Sequence, residues 1–143
     1  MRQRVPGRAW YSPGRPGHRP RVLIEDDHPA LAISDFSLFQ QAGFDVAYCS
    51  GPGGAAGNCP LLRGQRCVVL DGADAVLHGL DPRLGIAAAI RRQHPGIAVV
   101  TEQRHDPDGG PDQAAEGCAQ LTFASSVPGQ VDALRRELAR RRG

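Results

Sequence analysis

Three acidic residues and one hydroxyl stand at the ends of short apolar runs. Glu25 and Asp26 close the apolar run VLI at 22–24. Asp71 closes the run CVVL at 67–70, and Thr101 closes IAVV at 97–100. Each run has the length and β-branched content of a buried strand. Carboxylates gathered in one concavity repel each other and raise one another's pKa values unless a cation neutralises them. An all-oxygen donor set of this kind suits Mg²⁺.

The elements that must position these residues alternate along the chain. RVLIE (21–25) reads as a strand and PALAISDFSLFQQA (29–42) as a helix. Pro29 suits the first turn of that helix and Gly43 its C-terminal cap. FDVAYC (44–49) is a second strand, and 50–64 is loop-like with one helical turn near Pro60–Arg63. CVVL is read as the third strand. DPRLGIAAAIRRQH (81–94) follows as a helix, with Asp81 as N-cap and Gly85 inside it at a cost of roughly 1 kcal/mol. IAVVT (97–101) is the fourth strand, 111–117 a short helix, CAQLTF (118–123) the fifth strand and 128–142 the last helix. In that helix Val131, Leu134 and Leu138 share one face. Ser125 and Ser126 serve its start.

Five strands joined by helical crossovers predict an α/β fold, a doubly wound parallel sheet in the order 2-1-3-4-5. Such sheets carry their working residues at the carboxyl ends of the strands. Strands one and three are then neighbours, so Glu25, Asp26 and Asp71 meet there, with Thr101 at the tip of the next strand.

On these residues the segment 21–142 resembles a response-regulator receiver domain. VLIEDDHPAL matches the family's first strand and acidic cluster, and VVLD matches the strand that ends in its phosphoacceptor. The separation of Asp71 from Thr101 also suits the family. The resemblance implies a stand-alone module of a two-component phosphorelay, with Asp71 as phosphoacceptor. Glu25, Asp26, Asp71 and the backbone carbonyl of Ala73 would hold Mg²⁺, and the Thr101 hydroxyl would meet the phosphoryl group. A histidine kinase or phosphotransfer protein would be the donor and another protein the output partner. Such a protein is at most an enzyme toward its own aspartate.

The match breaks down toward the C-terminus. The family's strand-five lysine falls on Ala124, and the chain has no lysine at all: its 17 basic residues are all Arg. Arg could not substitute for lysine at such a site. The switch aromatic falls on Leu121. Glu102 replaces the small residue after the hydroxyl, where its charge would repel a phosphoryl group. These departures define the alternative, a pseudo-receiver that acts as a phosphate-independent interaction module.

Composition excludes other classes. Residues 1–20 form an Arg-, Pro- and Gly-rich arm with no apolar periodicity, read as disordered, so its Trp10 is not expected to report on the core. Residues 22–143 carry 11 Arg against 15 acids, so a pI near 8.5 reflects the arm and is no sign of nucleic-acid binding. DNA contact through the arm alone would be weak and salt-sensitive. No run is long and apolar enough for a membrane helix. Cys49, Cys59, Cys67 and Cys118 lack zinc-site spacing and read as free thiols in a reducing cytoplasm. GPGGAAG (51–57) lacks the Lys and Ser/Thr of a P-loop. His28 reads as a solvated loop residue, and His78, His94 and His105 have no partner visible in the sequence.

Overall fold

The computed structural model describes residue 10 and residues 19–26, 28–52, 59–103, 119–122 and 126–142. The strands are β1 (Arg21–Glu25), β2 (Asp45–Cys49), β3 (Ala75–His78), β4 (Ala98–Gln103) and β5 (Ala119–Thr122). The helices are α1 (Pro29–Gln41), α2 (Val68–Asp71), α3 (Ile86–Gln93) and α4 (Val127–Arg142). All strand pairs are parallel and the order is β2-β1-β3-β4-β5, as the alternation of elements predicts.

Alternate residues of each strand feed two separate cores. Val22, Ile24, Val46, Ala75, Leu77, Ala98 and Val100 pack with Phe39 and Phe44 against Val131 and Leu134 of α4. Leu23, Ala47, Val76 and Val99 pack on the other face with Leu61, Leu70, Ile86 and Ile90. Helices on both faces make the sheet doubly wound.

The third strand is not where its composition placed it. CVVL is not β3: Val68–Asp71 form a single helical turn, in which the Asp71 N–H donates to the Cys67 carbonyl at 3.1 Å. The strand is AVLH, entered through Asp74, whose N–H donates to the Arg21 carbonyl at 2.8 Å. Connectivity explains the choice. A parallel crossover needs a covering layer. With β3 at 75, the segment after β2 can lay both the 3-10 turn Pro60–Arg63 and α2 across the sheet, burying Leu61 and Leu70.

Gly85 also reshapes its region. At φ +74° it takes the left-handed conformation and splits the expected 81–94 helix into a 3-10 turn (Pro82–Leu84) and α3. Asp81 caps the first piece, its Oδ1 accepting the Arg83 N–H at 2.9 Å. Gly43, at φ +102°, ends α1 as expected, and Arg19 reaches the α1 carbonyl of Gln40 at 2.7 Å. Ser126 Oγ accepts the Gly129 N–H at 3.4 Å at the start of α4. The expected helix at 111–117 lies outside the described residues.

Candidate functional site at the carboxyl edge of the sheet

Register fixes a row of side chains on one face of the sheet's carboxyl edge. Cys49 is opposite Glu25, Glu25 opposite His78, and His78 opposite Thr101. Glu25 and His78 form the centre of the row. His78 Nδ1 lies 2.7 Å from Glu25 Oε1, with the two side chains 2% and 5% exposed. A carboxylate so deep needs a donor, because leaving it unpaired costs several kcal/mol, of order 3–5. His78 Nε2 is buried too and has no hydrogen-bond partner among the described residues. Thr101 is also buried.

The residues one step further along complete the edge. The Gly79 N–H donates to the Glu25 carbonyl at 2.7 Å. A Cβ at Gly79 would stand 3.1 Å from that carbonyl oxygen, 3.6 Å from Glu102 Oε2 and 3.9 Å from Asp26 Oδ2. A side chain at Gly79 would therefore meet both the Asp26 and the Glu102 carboxylates. Asp26 is held in place: its Oδ1 accepts the His28 N–H at 2.8 Å, and its carbonyl accepts the Tyr48 hydroxyl at 2.6 Å. Gln130 of α4 donates through Nε2 to Glu102 Oε1. Burial, and secondarily Asp26, holds the Asp35 carboxyl above its usual range.

Of the sequence-predicted residues, Glu25, Asp26 and Thr101 meet at this edge. Asp71 and Ala73 do not. They precede β3 at the amino edge, where Asp74 bonds to Arg21, about 16 Å away by strand rise. There Asp71 is paired with the exposed Arg66 and lies 3.4 Å from His94 Nε2. The Asp71 hydrogen bond and charge raise the Arg66 pKa. Ala124, Ser125 and His105 lie outside the described residues.

Sequence reasoning missed His78, Gly79 and Gln130. The available signal was the second apolar run, DAVLHG, which also ends in a polar residue and a glycine. Among the described residues Cys49, Cys59 and Cys67 are free thiols, each half-buried; Cys118 lies outside them. Burial is the main cause raising the Cys49 and Cys67 thiols above their ordinary range.

The backbone as a whole matches known folds. It aligns with a response regulator receiver domain protein from Clostridium thermocellum at a TM-score of 0.65 and 17% identity, over 86% of this chain and 97% of that one. A CheY-like receiver domain protein from Methanospirillum hungatei JF-1 gives 0.65 and 13%, over 87% and 97%. The fold is that of a response-regulator receiver domain. A putative pilus assembly protein from Burkholderia thailandensis E264 shares this receiver-like fold, with a TM-score of 0.63 and 20% identity over 84% and 98%. No family model and no curated protein matches the sequence.

The receiver resemblance implies Mg²⁺, and the donors at this edge do not fit it. Among the described residues no three His, Cys, Asp or Glu are placed to hold a metal ion. Glu25 is engaged by an imidazole, and the third carboxylate of the expected set is at the far edge. Nor is any helix, among the described residues, long and apolar enough to cross a membrane.

Proposed function

We propose that this receiver-fold domain is a protein-interaction module whose output does not run through a phosphorylated aspartate. One observation carries the reading: strand three ends in His78 and Gly79 follows it, with no carboxylate at either position. The resemblance requires the acceptor there, beside Glu25 and Asp26. Three further features support it. Glu25 is committed to His78. Glu102 follows Thr101 and would repel an incoming phosphoryl group. No lysine exists to pair with phosphoryl oxygens. On this reading the partner is another protein, such as another signalling protein.

Intact-mass measurement after incubation with Mg²⁺ and a small acyl phosphate tests this. The expected result is an unmodified chain. A phosphate-sized adduct that disappears in Asp71→Asn would restore the phosphorelay reading, with Asp71 as acceptor.

A further inference from the structure

Val68–Asp74, VVLDGAD, and Ala75–Asp81, AVLHGLD, are adjacent copies of one seven-residue pattern. The second, third, fifth and seventh positions are the same Val, Leu, Gly and Asp in each. The copies nevertheless differ in structure. The first is a helical turn and the second is β3.

The helical copy is poorly suited to its state. One turn has the cost of nucleation without the return of propagation. Val68 and Val69 are β-branched, which disfavours a helix and favours a strand. Val68 is 44% exposed, one of two large apolar side chains so exposed among the described residues. Much of what fixes the turn is outside it. The Trp10 indole donates through Nε1 to the Val69 carbonyl at 3.3 Å, lies under the Arg21 guanidinium at 5.6 Å, and is 9% exposed in the core. Gly72 makes room for it: a Cβ there would be 2.7 Å from Nε1.

We propose that the two copies compete for the third strand, and that a seven-residue slip exchanges AVLH for VVLD. The proposal goes beyond the interaction reading but shares its assignment of β3 as the dominant state. The slip preserves facing. Val69 would replace Val76, Leu70 would replace Leu77, and Asp71 would replace His78. Both connections stay long enough, with residues 50–67 before the strand and 72–97 after it.

Three features favour AVLH. His78 gives Glu25 a donor, whereas Asp71 would set a second carboxylate against it. Val68 would overfill the fully buried place of Ala75. Trp10 holds the helical turn. The slip would bring Asp71 to the edge that holds Glu25, Asp26 and Thr101. Trp10 would act as the latch that opposes it.

Carbon-detected saturation-transfer NMR on the full chain reads the exchange directly. The expected minor state has strand-like shifts at Val68–Leu70 and loses them at Ala75–Leu77. Removing the Trp10 hydrogen bond in Trp10→Ala should raise its population about fivefold or more. Val68→Ala should also raise it, about threefold or more, because an alanine no longer overfills the place of Ala75 and this outweighs the preference of Ala for the helical turn. A single state at both copies in wild type and Trp10→Ala overturns the slip. So does a minor state in which only one copy changes. Either failure leaves the interaction reading standing if wild type also remains unmodified by acyl phosphate. An Asp71 adduct on wild type would instead overturn that reading.

Discussion

Replacing His78 with leucine should expose the dependence of the carboxyl edge on one buried pair. The two side chains are similar in volume, so the change leaves little cavity. It removes the donor 2.7 Å from Glu25 Oε1 while Glu25 itself stays only 4% exposed. Breaking a buried pair from one side costs about 3–5 kcal/mol, because the remaining charge has no compensation. Replacing both members with apolar residues is often close to neutral. His78→Leu should therefore lower stability by about 3 kcal/mol, and the double variant Glu25→Leu, His78→Leu should recover most of that. With a urea m-value of about 1.5 kcal/mol/M, the single change moves the midpoint by about 2 M. Urea unfolding followed by the fluorescence of Trp10, the chain's only tryptophan, gives the cycle. Additive effects of the two single changes would refute the argument, since they would mean that Glu25 and His78 do not depend on each other.

Other outcomes follow from the same geometry. Gly79→Asp should destabilise the domain more than Gly79→Ala, since both push on the Glu25 carbonyl but only the carboxylate meets Asp26 and Glu102; equal midpoints in urea would contradict this. Asp71→Ala should leave the urea midpoint nearly unchanged by the same assay, because Arg66 is 79% exposed and solvent screens the pair. Cys49 and Cys67 are held above the ordinary thiol range, so their stabilising contribution is complete below the unfolded thiol pKa and falls as pH rises through the folded values. Alkylation of these two thiols at pH 8 should accordingly be slower in the folded chain than in urea. The buried indole should emit to the blue of free tryptophan and resist acrylamide quenching, and a solvent-like emission would show that Trp10 is undocked.

Most of the architecture was legible because it rests on patterns a sequence displays. Alternating buried runs, Pro29, Gly43 and the apolar face of α4 each signal a local state that the packed fold retains. The third strand was not legible. CVVL, followed by Asp71, and AVL, followed by His78, are both short apolar runs that stop at a polar residue, and periodicity cannot rank runs so short. Connectivity separates them, through the layer that Leu61 and Leu70 must cover. Gly85 misled for a related reason: a glycine within a helical pattern can be tolerated or can break it, and here its positive φ breaks it. The site inherited the strand error. Glu25, Asp26 and Thr101 meet at one edge because β1 and β4 lie in their expected runs, although β4 continues past Thr101 to Gln103. Asp71 and Ala73 were carried to the wrong edge with the misplaced strand. His78 was overlooked because its partner lies 53 residues away in sequence. Trp10 could not be read as a core residue from an arm whose composition gives no apolar period.

The central claim is that AVLH is the third strand in the dominant state and that Asp71 stands at the opposite edge from Glu25. Amide nuclear Overhauser contacts in the uniformly labelled protein test it most directly. Cross-strand contacts should join Leu23–Glu25 to Val76–Gly79, with sequential helical contacts through Val68–Asp71. Cross-strand contacts from Leu23–Glu25 to Val68–Asp71 in the major state, with none to Val76–Gly79, would contradict the account and return Asp71 to the tip of the strand.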